Sequence, residues 1–498
     1  MKDAPVPRIA ISKPVDLGAT EMEKVTTQEY YYYLAIDDIS NGVATITLPV
    51  GEDLAGNNVV SAPTSGASII IDNASPTAAI TYDSEGPYKQ GDTVVITATF
   101  NEDMAASPVP QISFTGAVNL PATNMTPTAS ATTYTYSYLV TTGNGDVNIS
   151  LTGKDPAGND VVTTPTAGAT FKVDTIVPDN QDTVLAASIT VKIGAPVTIV
   201  PTGNSTDTIW LAPAGTTTFA TGTDMTVASG TDPSIDAPAD EGSYRIYVID
   251  LAGNVSAASN AIVTVDGTAP TAAISYSPAG PYKKDAVITI TATFTEDMGT
   301  SPLPKISFEG EVTLQADMTP TASAKTYTYS HTVTTGNGIV NVSFTAGQDI
   351  AGNPVDATPT NGASFTVYTT PPTNSVLSTT QWVKGGGAVS IGSSGDANNQ
   401  VWLAEDGTTS FITPGATMTR AISGTSTTIT APTTEGDYKL FIIDPAGNRS
   451  DPSAETVWVD DTRPDNQDSV LAASITVKTE APVTIVPTGN STDTIWLA

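Results

Sequence analysis

The stretch TVVITATFNEDM, residues 93–104, alternates in a way that decides the fold. Val94, Ile96, Ala98 and Phe100 fall on one side of an extended chain, and Thr93, Thr97 and Thr99 on the other. A period of two carried by β-branched residues marks a strand that buries one face. Tyr134, Tyr136, Tyr138 and Val140 repeat the pattern, as do Val147, Ile149 and Leu151. Further strands are expected at 197–200, 208–211, 244–249 and 261–265. A helical period of about 3.6 is followed nowhere. Clusters of Gly, Asn, Asp and Pro punctuate the chain about every 8–12 residues, the spacing of short strands. The expectation is an all-β chain of two-sheet sandwiches.

Outward from that strand the sequence repeats. ITATFNEDM (96–104) recurs as ITATFTEDM (290–298), within a match of residues 72–173 to 266–367. This type A unit alternates with a second unit, type B. In type B, DTIWLAPAGTTTF (207–219) becomes NQVWLAEDGTTSF (399–411), and EGSYRIYVIDLAGN (241–254) becomes EGDYKLFIIDPAGN (435–448). A third type B copy starts near Arg463 and matches 177–212 at 32 of 36 positions. PVPRIAISKPVDL (5–17) aligns with PVPQISFTGAVNL (108–120), so the first residues are the later part of a type A unit. The expected order is partial A (1–72), A (73–174), B (175–266), A (267–368), B (369–460) and partial B (461–498).

Composition narrows the function. The 498 residues carry 19 Lys and Arg, 51 Asp and Glu and one His, a formal net charge of -32. Such a chain has no electrostatic footprint for nucleic acid. With no cysteine, disulfides, iron–sulfur clusters, a Cys nucleophile and a His/Cys zinc site are excluded. No apolar run is long enough to span a membrane as a helix. Only 14% of residues are charged, so Thr, Ser, Asn and Gly supply most of the polar surface. The opening MKDAPVPRIA has no apolar core of a secretory leader. Both ends fall inside repeat units, so the expectation is a piece of a longer exported protein whose signal, anchor and head lie elsewhere.

Type B carries more specific marks. Trp210, Trp402 and Trp496 stand at matching places on the third strand, where an immunoglobulin-type core holds a buried indole. Tyr244 follows Asp240-Glu241-Gly242-Ser243 with the spacing of a tyrosine corner, and Tyr438 keeps that place although Thr434 replaces the aspartate. On these residues the chain resembles the tandem bacterial immunoglobulin-like domains of large cell-surface adhesins. The resemblance implies tandem immunoglobulin-like β-sandwiches in an elongated array, an extracellular or cell-surface location, and calcium at or near domain junctions. Border residues that match such sites are Asp72, Asp174, Asp266 and Asp460, whereas Tyr368 stands where other type A units end in Asp.

The pentapeptide DxAGN occurs five times, at 53–57, 155–159, 250–254, 349–353 and 444–448. As a turn, its Asp caps backbone N–H groups and its Gly takes positive φ. As a cation site, Asp155 with Asn159, Asp250 with Asn254, Asp349 with Asn353 and Asp444 with Asn448 offer hard oxygens. Two oxygens are too few, so further acids must come from a border. Glu102-Asp103 and Glu296-Asp297 are the candidates, with the DxAGN loop expected to belong to the unit that the border aspartate closes. The acidic groups recur from copy to copy as scaffold features do, and His331 replaces Tyr138 on a matching strand, so no enzyme is expected. The expected role is a spacer stalk, with adjacent domains of the same chain as partners. The rival roles are an array binding a surface glycan or protein, and a surface-layer or filament subunit.

Overall fold

The computed structural model describes residues 1, 3–36, 40–463, 475–486 and 494–495; Trp496 and most of the expected partial unit at 461–498 lie outside them. The chain divides into two compact units, residues 1–265 and 266–498. Strands dominate both, and one short helix, Gln181–Val184, appears among the described residues.

In the first unit, residues 73–174 make a sandwich. One sheet runs Leu120–Asn124, Gln111–Gly116, Asn144–Thr152, Thr170–Asp174; the facing sheet runs Thr126–Pro127, Thr133–Leu139, Thr93–Phe100, Ala78–Tyr82. All but one of the ladders are plain antiparallel registers, and the Thr93–Phe100 strand pairs residue for residue with Thr133–Leu139. Val94, Ile96 and Ala98 from one sheet and Ile112, Phe114, Val147, Ile149 and Leu151 from the other are buried in one core. Full burial of each larger aliphatic or Phe side chain contributes roughly 1.5–3 kcal/mol. Tyr82 donates its hydroxyl to the Gly168 carbonyl at 2.6 Å, tying the first strand to the last loop. Gly168 has φ +63°, and a Cβ there would stand 2.3 Å from the Ile80 carbonyl oxygen, so only glycine allows this approach.

Residues 1–72 reproduce one of these two sheets, in the order Leu17–Glu21, Arg8–Ile11, Gly42–Val50, Ser68–Ile71, beside the small hairpin Glu23–Lys24 and Tyr30–Tyr31. Ile46 and Leu48 are partly exposed here, whereas their matches Ile149 and Leu151 are sealed. The second core of this unit spans Val184 to Val265. Its main sheet runs Ile189–Lys192, Val263–Asp266, Gly242–Ile249, Thr208–Pro213, Thr226–Ser229, faced by Pro196–Thr198 with Ser234–Asp236.

The second unit repeats both plans. Residues 272–368 form the sheets Ala272–Ser277, Val287–Phe294, Thr326–Thr332, Thr319–Pro320 and Tyr282–Lys283, Ser364–Tyr368, Asn337–Ala346, Lys305–Gly310, Leu314–Asp317. Residues 376–459 form Gln381–Val383, Val457–Val459, Gly436–Ile443, Gln400–Glu405, Met418–Arg420, faced by Ala388–Ser390 with Thr428–Thr430. The chain is a tandem of immunoglobulin-like β-sandwiches.

The tyrosine hydroxyls close corners. Tyr244 donates to the Asp240 carbonyl and Tyr438 to the Thr434 carbonyl, both at 2.8 Å. The acceptor is backbone, which is why Thr434 serves as well as Asp240. Type A uses the same device four residues back, with Tyr88 donating to the Ser84 carbonyl and Tyr282 to the Pro278 carbonyl at 2.7 Å. The expectation for the tryptophans needs correction. Ile209 and Leu211 point between the sheets, and so do Val401 and Leu403. Strand alternation therefore sends Trp210 and Trp402 to the opposite face. There Trp210 packs on Phe219 and Trp402 on Phe411, with ring centroids 5.6 and 5.8 Å apart. Trp402 is fully buried in a small cluster of its own with Ala404 and Phe441, while Trp210 is only half-buried.

Candidate metal centres at the module borders

Each DxAGN loop joins the last two strands of its sandwich. The last strand runs toward the module's exit, so the loop before it lies at the opposite end, beside the incoming chain. In DPAGN (155–159) the Asp155 carboxylate accepts from the Gly158 N–H at 2.6 Å, the Asn159 N–H at 2.9 Å and the Asn159 side-chain amide at 2.7 Å. Asp155 is buried, and burial alone pushes its carboxyl upward. The hydrogen bonds from Asn159 and Gly158 outweigh that and hold it below the usual aspartate value.

The amide of Asn159 makes a second bond. Its Nδ2 donates to the backbone carbonyl of Asp72, 3.0 Å away, where the chain enters the sandwich. The contact recurs. Asn254 donates to the Asp174 carbonyl at 2.9 Å, Asn353 to the Asp266 carbonyl at 2.9 Å and Asn448 to the Tyr368 carbonyl at 2.8 Å. Every complete sandwich thus grips its own incoming strand through the asparagine of DxAGN. The acceptor is again backbone, so Tyr368 leaves this grip intact. Nothing in the pentapeptide announces a carbonyl partner some 80 residues away, and sequence reasoning missed it. The border side chains cap their own chain: Asp72, Asp174, Asp266 and Asp460 each accept from the N–H two residues on, at 2.8–3.1 Å.

At the two borders that lead into type A, acids converge. Carboxylate oxygens of Asp72, Glu102 and Asp155 lie within 4.8 Å of one another, as do those of Asp266, Glu296 and Asp349. Glu102 and Glu296 come from the loop after the ITATF strand, which reaches the same end of the sandwich as DxAGN. Burial pushes the Glu102 carboxyl up, and the adjacent Asp72 and Asp155 push it further. Glu296 is raised by burial, then by Asp266 and Asp349, against a smaller opposing effect of Lys325.

The expected ligand set is therefore divided. Asp72, Glu102 and Asp155 come together beside Asn159, and Asp266, Glu296 and Asp349 beside Asn353. The loop belongs to the module that follows the border aspartate, not to the one that it closes. Asp103 and Asp297 are outside both triads and act instead on Tyr134 and Tyr327. No third acid joins Asp174 with Asp250, or Asp444 at the Tyr368 border, among the described residues. Type B has no counterpart of the Glu-Asp pair. Asp460 is placed on a border whose following module lies mostly outside the described residues. The type A triads fit a hard divalent cation by their chemistry, because three carboxylates crowd together and one of them is driven toward its protonated form. At the type B borders no such triad is found among the described residues.

No family model and no curated protein matches the chain. Similar solved structures include the mouse nectin-like molecule 4 full ectodomain (Ig1–Ig3), at 15% identity over 56% of this chain and 99% of that one, with a TM-score of 0.24. A putative membrane anchored protein from Corynebacterium diphtheriae shows 11% identity over 78% of this chain and 95% of that one, with a TM-score of 0.17. The chicken CNTN1 FN1–FN3 domains show 9% identity over 56% and 94%, with a TM-score of 0.18.

Proposed function

We propose that this chain is a spacer segment of a large exported bacterial cell-surface protein of the adhesin kind, built from sandwich modules with fixed borders. The modules are 1–72 (partial), 73–174, 175–266, 267–368, 369–460 and 461–498 (partial). The observation that carries the reading is the asparagine grip at four successive borders, from Asn159, Asn254, Asn353 and Asn448 to the incoming backbone. A side chain anchored to backbone in every complete copy holds the incoming strand whatever residue occupies the border. Repeats of this kind add length by contact with their sequence neighbours.

At the borders into type A the same reading assigns calcium to Asp72, Glu102 and Asp155, and to Asp266, Glu296 and Asp349. Bound there, the cation neutralises crowded carboxylates and links the border residue to two loops of the following module; water completes its six to eight oxygens. An array of repeated ligand sites is less well supported. Such an array needs exposed aromatics at one place in every module, and the 67% exposed Trp382 is matched in the other type B copy by Thr190.

Small-angle scattering of the 498-residue chain in calcium, magnesium and chelator tests the reading. The expected result is a narrower distribution of end-to-end distances in calcium, with a smaller change in magnesium, which demands tighter octahedral geometry. Identical profiles in all three overturn the calcium assignment. A broad distribution of interdomain distances in all three overturns the spacer itself.

A further inference from the structure

The outer face of the sheet that contains Gln381–Val383 carries two aromatic rows. In the first, Arg420, Trp402 and Phe441 are cross-strand neighbours. The Arg420 guanidinium lies 5.5 Å from the Trp402 ring centre, and that of Arg449 lies 5.6 Å from the Phe441 ring centre. In the second row, Trp382 pairs with Trp458, and Trp458 with Asp437. The two indoles stack at 5.1 Å between centroids with their planes 11° apart. Trp382 stands on the edge strand and is 67% exposed. One of its ring faces is against Trp458, and most of the remaining side-chain surface is exposed.

The fold does not need this pair. QWVK (381–384) corresponds to ITVK (189–192) and VWVD (457–460) to VTVD (263–266), so the other type B module has Thr190 and Thr264 at the same register. Val383, Val457 and Val459 supply the core contacts of these strands from the opposite face. An indole stack left open to water, where a sibling module has threonines, is a feature of surface recognition.

What the open face takes follows from the contrast between the rows. The first row is covered by the chain's own guanidinium groups. The second ends in a carboxylate, Asp437, and has no cation over either ring among the described residues. The chain as a whole carries a net charge of -32, which draws cationic partners toward it. An indole face is the best aromatic acceptor for a guanidinium, and a carboxylate two strands away adds attraction of the same sign. We propose that the open face of Trp382 receives an arginine side chain presented by a partner polypeptide, with Asp437 contributing at longer range.

The test uses the 498-residue chain and a fluorescein-labelled tetra-arginine peptide, followed by anisotropy at about 150 mM salt, where diffuse attraction is screened beyond about 8 Å. Trp382→Thr keeps the charge and installs the sibling module's own residue, so an unchanged melting curve is expected. The expected result is binding about three- to tenfold weaker in Trp382→Thr, the range of a cation–π contact. Trp382→Phe should recover part of the affinity, and Asp437→Asn should weaken binding by less. Equal affinity in the parent and Trp382→Thr overturns the proposal, leaving diffuse attraction only. Cellohexaose binding that depends on Trp382 while peptide binding does not would assign the face to a sugar and overturn it as well. Concentration-dependent dimers abolished by Trp382→Thr, with peptide affinity unchanged, would assign the face to a second copy.

Discussion

The border at Asp72 and the border at Asp174 use the same grip and differ in charge. At both, a DxAGN asparagine holds the incoming carbonyl, at 3.0 and 2.9 Å. At the first, Glu102 completes a triad with Asp72 and Asp155; at the second, no such triad forms among the described residues. A similar division holds between Asp266, with Glu296 and Asp349, and Tyr368, where Asp396 and Asp444 come near but no acid triad forms among the described residues. Anchoring thus uses a backbone acceptor in all four complete modules, whereas a triad of carboxylates is found, among the described residues, only at the borders into type A. Two devices were laid over one loop, and they can be separated by experiment.

The largest expected difference is the response to calcium. At a calcium concentration about a hundredfold above its dissociation constant, a site present only in the native state stabilises it by about 2.7 kcal/mol. Melting followed by calorimetry should show the transitions of the type A modules rising while those of type B stay in place. Equal shifts in all transitions would mean diffuse ion binding and would erase the distinction.

The grip should behave in the opposite way, alike at both kinds of border. Asn159→Ala and Asn254→Ala each remove bonds to a carboxylate and to a border carbonyl, and a bond to a charged group is worth about 1.5–3 kcal/mol. Losses of that size, similar to each other in chelator, are expected from chemical denaturation. A loss at Asn159 alone would tie the grip to the acid triad.

Acidity sharpens the comparison further. The native-state values of Glu102 and Glu296 lie above the ordinary 4.5. Their contribution is therefore fully present below about pH 4.5 and is lost as pH rises through the raised values. Asp155 is shifted down from 3.8, so its contribution is present above that pH and is lost as pH falls through the lowered value. Without calcium the type A modules should gain stability from neutral pH down to about 4.5 and lose it below about 3.8. Glu102→Gln should flatten the upper limb for residues 73–174, and saturating calcium should reverse it. A limb unchanged by Glu102→Gln would show that the crowding has no energetic weight.

The smallest effect is expected from Tyr368→Asp. The asparagine grip uses only the carbonyl of residue 368, so the exchange of this half-buried side chain should cost no more than about 1 kcal/mol. It restores a border aspartate near Asp396 and Asp444, but no glutamate of the strand-end loop that supplies Glu102, so it should create no calcium response. A calcium-dependent rise in this variant would show that Asp396 can stand in for that glutamate.

Much of this was legible in the residues. The alternation at Val94, Ile96, Ala98 and Phe100 defines a strand because the period of two is a property of the chain alone. The tyrosine corners were visible as spacing in type B, though the same device at Tyr88 and Tyr282 lay unnoticed within GPYK. Two features were hidden for different reasons. The direction of the DxAGN loop depends on which way the last strand runs, so pairing Asp72 with a loop needed the topology. The faces of Trp210 and Trp402 depend on which of two apolar sets on one strand meets the other sheet. Ile209, Trp210, Leu211 and Ala212 are apolar throughout, and period alone does not choose between the sets.

The most direct test of the account is the stoichiometry of calcium binding to the 498-residue chain by isothermal titration. The account predicts saturable binding of two ions per chain, one at Asp72, Glu102 and Asp155 and one at Asp266, Glu296 and Asp349. Glu102→Gln should leave one ion, and the double variant with Glu296→Gln should leave none. Binding that does not saturate, or a stoichiometry untouched by either substitution, would contradict it.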